Sequence, residues 1–147
     1  MVERASQSVV VSAPVAHVYV VVTDFERYHE WASEVKRAVV HERDGAGRPL
    51  EVEFRAAAYG RSTTYTLRYD YSRAPDELAW TQVSGDLAES LHGRYRFESL
   101  GSLTRVTYDL EVELRVPIPP FIRTRAAQRI QNDALDELKA RVETLDG

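Results

Sequence analysis

Residues 106–114 read Val-Thr-Tyr-Asp-Leu-Glu-Val-Glu-Leu, so Val106, Tyr108, Leu110, Val112 and Leu114 alternate with Thr107, Asp109, Glu111 and Glu113. A period of two puts one row of side chains on each face of a strand, here one apolar and one wet. Pro117, Pro119 and Pro120 then end the alternation, because proline cannot donate to a ladder but is preset for a first helical turn. Residues 121–145 contain neither Gly nor Pro. Ile130, Ala134, Leu138, Val142 and Leu145 form an apolar stripe there, widened by Leu135. At 1.5 Å per residue this predicts a helix about 37 Å long. A half-buried strand leading into one long helix decides the fold class, and the rest of the chain must fit it.

Upstream, the same alternation recurs. Leu91, Gly93, Tyr95 and Phe97 oppose His92, Arg94, Arg96 and Glu98, after a break at Gly85-Asp86. Residues 78–83 form a strand holding Trp80. Thr63, Tyr65, Leu67, Tyr69 and Tyr71 alternate with Thr64, Thr66, Arg68 and Asp70. Leu50, Val52, Phe54, Ala56 and Ala58 alternate with Glu51, Glu53 and Arg55, and residues 35–43 precede the Asp44-Gly45-Ala46-Gly47 turn. Residues 4–11 make the first strand. Ser12 then reads as the cap of a short helix with Pro14 in its first turn, carrying Val15, Val18 and Val22. Asp24 reads as the cap of a second, which turns Phe25, Tyr28 and Trp31 inward. Seven strands, two short helices after the first of them and one long final helix predict a single α+β domain, residues 1–147, with an antiparallel sheet.

The 147 residues are 44% hydrophobic and 29% charged, an ordinary globular balance. A chain of this size buries roughly 70% of its unfolded surface, enough for an apolar core without staples. It has no cysteine, which excludes disulfides, thiolate catalysis and Cys-ligated metal centres and fits a reducing cytoplasm. The net charge is −4 with scattered basic residues, so no nucleic-acid partner is expected. Arg123, Arg125 and Arg129 read as a solvated helix face. No apolar run approaches the ~20 residues of a membrane span, and no leader is evident. The expectation is a cytoplasmic protein without an integral membrane segment, a monomer or weak homodimer.

A strongly twisted sheet curls, and its concave face needs a cover. The inward positions of the strands carry Phe54, Tyr65, Tyr69, Trp80, Tyr95, Phe97 and Tyr108. The covering helix is small at its start, with Ala126, Ala127 and Ala134, and bulkier later. Space is therefore expected between those aromatics and the helix at Ala127, Ile130 and Ala134. Aromatics on a concave face also serve as plain core. The tyrosine hydroxyls argue for a cavity, because a dry core disfavours unpartnered polar groups. A cavity no larger than about 300 Å³ would instead favour an interaction module working through an acidic convex face. Acid–base candidates are Tyr65, Tyr69, Tyr95, Tyr108 and Gln82. His17, His29, His41 and His92 read as surface positions and lack metal-ligand spacing, so neither a metal nor a cofactor is expected.

Ser12-Ala13-Pro14-Val15, Val18-Tyr19, Thr23-Asp24-Phe25, Tyr28 and Trp31 resemble the N-terminal signature of the START/birch-pollen-allergen (SRPBCC) superfamily. The nearest branch is the polyketide cyclase/dehydrase and coenzyme-Q-binding-like proteins, and the resemblance runs through the proline-rich segment into residues 135–142. It implies a helix-grip fold, a seven-stranded curved sheet around the long C-terminal helix, and a hydrophobic ligand such as a lipid, quinone or polyketide, bound or carried. The alternative it implies is a cyclase, aromatase or dehydratase. In such enzymes a pocket Arg on the strand after a Gly-Arg turn acts with a nearby Trp and Ser, and a pocket Tyr follows the second short helix. Here Gly60-Arg61 matches the turn, but the Arg position is Tyr69, the Ser position Leu67 and the Tyr position Val35. Binding without chemistry is the reading these substitutions favour.

Overall fold

The alternating segments form strands that the computed structural model describes over residues 2–58, 60–115 and 117–146. They are β1 (Glu3–Val11), β2 (Val35–Arg43), β3 (Pro49–Ala58), β4 (Arg61–Asp70), β5 (Glu77–Gly85), β6 (Ala88–Leu100) and β7 (Leu103–Leu114). β6 and β7 are joined at Gly101, whose φ of 84° lies where a side chain is disfavoured. All seven pair antiparallel in the order β1-β7-β6-β5-β4-β3-β2. β1 and β2, consecutive in the chain, thus occupy opposite edges. Helix α1 (Val15–Thr23) and a 3-10 turn (Phe25–Glu30) connect them. Register shifts in the β2–β3 and β4–β5 pairs add the bends that curl a sheet.

Helix α2 (Pro120–Asp146) lies along β1. Thr124 donates to Glu3 at 2.8 Å, Gln131 to the Ala5 carbonyl at 3.0 Å, and Lys139 to the Val10 carbonyl at 3.0 Å. Gln131 also donates to the Tyr108 carbonyl, so one buried amide ties the helix to β1 and β7. The buried row is Ala127, Gln131, Leu135, Leu138 and Val142, packed with Val18, Val22 and Phe25.

Four sequence expectations change here. Ser12 does not cap α1. Pro14 occupies that position, and the Ser12 amide donates to Glu143 at 2.8 Å. Asp24 does not cap the 3-10 turn with its side chain, because it also closes the C-terminal end of α1, where its amide donates to the Val21 carbonyl, and its carboxylate turns to Arg27 at 3.5 Å. Leu145 is 61% exposed, since α2 overhangs β1 once Glu143 has reached Ser12. Arg123 is not solvated. Standing one helical turn before Ala127, it falls on the buried row, 3.8 Å from Glu3, with Nε and one terminal nitrogen lacking hydrogen-bond partners.

The convex face is not simply acidic. Arg94 and Arg96 both reach Asp109, Arg94 also meets Glu77, Arg68 pairs with Glu51 and Arg4 with Glu111. Cross-strand pairing neutralises the carboxylates that the sequence suggested as a docking surface. In the core, the Thr104 hydroxyl donates to the Ala13 carbonyl at 2.7 Å. Thr104→Val keeps the shape but strands that carbonyl, and urea denaturation should show a loss of about 1–2 kcal/mol.

Candidate ligand cavity

Strand parity brings Phe54, Tyr65, Tyr69, Trp80, Tyr95 and Tyr108 to one concave wall, from β3, β4, β5, β6 and β7. Ile130, Ala134 and Glu137 face them from α2, at the four- and three-residue spacing of one helix side. Tyr28 and Trp31 close the end, their rings 4.9 Å apart. The inner space, which opens toward an outer groove, is about 150 Å³. A second lobe of about 90 Å³ lies behind Tyr65, Leu91, Tyr108 and Ile130 and includes Gln82, whose amide donates to the Ala88 carbonyl. An outer groove of about 740 Å³ shares Glu34, Ala57, Ala58 and Ile130 with the cavity and runs past Arg61, Ile122 and Ala126. The two inner lobes are each smaller than the roughly 300 Å³ expected of a ligand site, and the groove that continues them exceeds it.

Eight of the ten expected residues line the cavity: Phe54, Tyr65, Tyr69, Trp80, Tyr95, Tyr108, Ile130 and Ala134. Phe97 does not. It lies further along β6, edge-on to Tyr19 at 6.0 Å and beside Tyr95 at 6.1 Å. Ala127 does not either. It is fully buried on the helix row that includes Gln131, which bonds to β1, while Ala126 borders the groove. Leu67 and Val35, at the positions of the cyclase Ser and Tyr, are in the wall.

Trp80 stands directly opposite Gly93, and a Cβ at Gly93 would lie 2.3 Å from the indole Cε2. The glycine is what lets the indole lie against the sheet. Tyr95, Tyr108 and Tyr69 surround it, with ring centroids 5.2, 5.7 and 5.9 Å away. The Tyr28 hydroxyl donates to the Val22 carbonyl. Among the described residues the hydroxyls of Tyr65, Tyr69 and Tyr95 have no hydrogen-bond partner, yet none is sealed against protein. Tyr65 keeps accessible surface although protein encloses it, as a side chain facing a cavity does. Burial pushes the Tyr65 phenol up to about 12 and raises Tyr28, Tyr69 and Tyr95 as well. At neutral pH these groups are uncharged donors, not bases.

No Arg, Lys or His among the described residues lines the cavity; its charged groups are Glu34 and Glu137. Glu137 accepts from the Ser33 amide at 3.1 and 3.2 Å. The sequence reading missed both carboxylates. Glu137 was findable, since it continues the side defined by Ile130 and Ala134. Glu34 was not, because it lies in a connection with no period. His29, His41 and His92 bond to the Glu26 carbonyl, Glu53 and Thr81 on the exposed surface. Among the described residues no cluster of three or more His, Asp or Glu is placed to hold a metal ion, and no helix is long and apolar enough to cross a membrane.

Residues 11–139 match the polyketide cyclase/dehydrase and lipid transport family. The chain belongs to this family. Among solved structures, a START superfamily protein from Mycobacterium smegmatis shares 26% identity with a TM-score of 0.91, covering 97% of this chain and 98% of that one. The Zhui aromatase/cyclase from Streptomyces sp. R1128 shares 17% identity with a TM-score of 0.85, covering 97% and 94%. A Thermus thermophilus protein shares 22% identity at a TM-score of 0.82, covering 99% and 100%. These likenesses establish the α+β helix-grip fold. No curated protein matches the chain in sequence.

Proposed function

We propose that this chain binds a hydrophobic, ring-containing small molecule in the cavity between α2 and the sheet. The observation that carries this reading is the set of three enclosed phenols, Tyr65, Tyr69 and Tyr95, whose hydroxyls lack partners and border open space. A packed core would leave each unpaired hydroxyl at a cost of about 1–3 kcal/mol, whereas a ligand's oxygen can satisfy them. The small enclosed volume alone suits the interaction-module reading. The groove that continues the cavity and the ion-paired convex face both speak against it.

The cyclase reading has the family and the Zhui aromatase/cyclase likeness in its favour. Its chemistry would need a base or a cationic oxyanion partner. The wall offers neutral phenols instead, with Tyr69 at the expected Arg position. Binding or transport is therefore the function we put first. In the same reading the protein works in the cytoplasm without a cofactor, as a monomer or weak homodimer, and contacts no nucleic acid.

Native mass spectrometry of freshly purified protein should reveal a co-purifying apolar molecule. The Tyr65→Phe, Tyr69→Phe double variant should fold normally and bind 2-naphthol roughly fivefold or more weakly, as loss of about 1 kcal/mol per hydrogen bond requires. Equal affinity of native and double variant across a panel of hydroxylated aromatics would remove these two tyrosines from the site.

A further inference from the structure

We propose that the cavity takes an organic cation, with a monocyclic aromatic head among Tyr69, Trp80 and Tyr95 and a protonated amine at Glu34 and Glu137. This rests on the ligand-binding reading above and narrows its ligand to a class. Volume sets the head. An apolar cavity of about 150 Å³ holds one benzene ring, and the inner lobe has that size. A fused polycycle would have to extend into the groove.

Charge sets the arm. Ser33, which holds the Glu137 carboxylate through its amide, is the residue before Glu34, so the two acids stand at one corner of the cavity. Glu34 also borders the outer groove, which makes this corner the mouth. Neither acid has an ion-pair partner among the described residues, and no cation lines the wall. Arg61 and Arg129 belong to the groove outside, where Arg129 lies 3.7 Å from Asp133. Inside the cavity an anionic ligand would meet two carboxylates and no compensating charge. The unpartnered phenols of Tyr69 and Tyr95, each more than nine-tenths buried, are left to hydrogen-bond a polar substituent on the ring.

Three probes share one ring and differ in charge: tyramine, 4-ethylphenol and 4-hydroxyphenylacetate. Calorimetric titration at neutral pH should rank them in that order, with tyramine about tenfold or more above the acid. Glu34→Gln, Glu137→Gln should bring the three within about twofold, chiefly by weakening tyramine, and Glu34→Gln alone should give part of that effect. Binding of the acid as tightly as the amine, or a preference that survives both substitutions, overturns the inference. If none of the three binds but a neutral polycycle such as 1,4-naphthoquinone does, the cation assignment falls and the ligand-binding function stands. If the quinone fails as well and native mass spectrometry finds no passenger, both fall.

Discussion

Gly93→Ala is expected to destabilise the protein by about 2–3 kcal/mol, toward the upper end of overpacking costs. The added methyl would overlap the Trp80 indole at 2.3 Å, a contact that cannot persist. The indole has little room to yield, because Tyr69, Tyr95 and Tyr108 pack around it. Its open side is the cavity, so the displaced ring should fill the space meant for a ligand. Urea denaturation should show a lower midpoint with an unchanged slope, together with altered tryptophan emission and lost ligand binding. Adding Trp80→Phe should return part of the stability, because the smaller ring vacates the position of the methyl; this coupling identifies the indole as the source. Gly45→Ala, where nothing lies within 4 Å, is the control and should be neutral within about 0.5 kcal/mol. A Gly93→Ala protein as stable as the native one would mean that the Trp80–Gly93 packing is wrong.

The second large effect is alkaline. Below pH 10 the phenols of Tyr28, Tyr65, Tyr69 and Tyr95 are neutral in both the folded and the unfolded chain, so their contribution is constant. Above it the unfolded chain releases these protons while the folded one, with every pKa raised by burial, retains them. The unfolded state then binds fewer protons, and stability falls as pH rises toward the folded values. Each such tyrosine removes up to about 1.4 kcal/mol per pH unit, so Tyr65 alone removes roughly 2 kcal/mol by pH 12. Four together give a slope near 5 kcal/mol per pH unit, against a typical total stability of about 5–15 kcal/mol. The protein should unfold cooperatively about one to three pH units above 10, with tyrosinate absorbance rising in step with loss of circular dichroism. Replacing Tyr65, Tyr69 and Tyr95 with Phe should shift that midpoint upward. Smooth titration of all the tyrosines near pH 10 in the folded protein would contradict the buried cavity wall.

The fold was legible because two periodicities are written plainly. The alternation at 106–114 and the unbroken run at 121–145 leave little choice but a sheet covered by one helix, and the N-terminal signature agrees. The strand side of the cavity was legible for the same reason, since parity alone selects Phe54, Tyr65, Tyr69, Trp80, Tyr95 and Tyr108. Parity says which face, not how far along the strand, and so Phe97 was included although it packs under Tyr19. The helix side was harder. Its rotation about its own axis is set by contacts with β1, which are remote in sequence, and those contacts turn Ala127 and Arg123 toward β1 and Glu137 toward the cavity. Reading Arg123 as solvated followed from its charge; its place one turn before Ala127 was the better guide. Caps failed for a local reason, because Asp24 must serve both α1 and the 3-10 turn.

The edge position of β1 has a consequence for how the chain is made. Glu3 pairs with Val112, and the helix that holds β1 begins only at Pro120. At roughly 5–20 residues per second, the first strand leaves the ribosome about ten seconds before its partner exists. During that interval Val9, Val10 and Val11 form a bare β-prone run with no partner strand. The later hairpins can assemble as they emerge, but the sheet lacks its β1 side until β7 and α2 have been made. Two nascent chains on one message would then each present the edge the other lacks, making strand exchange the misassembly to which this topology is most exposed.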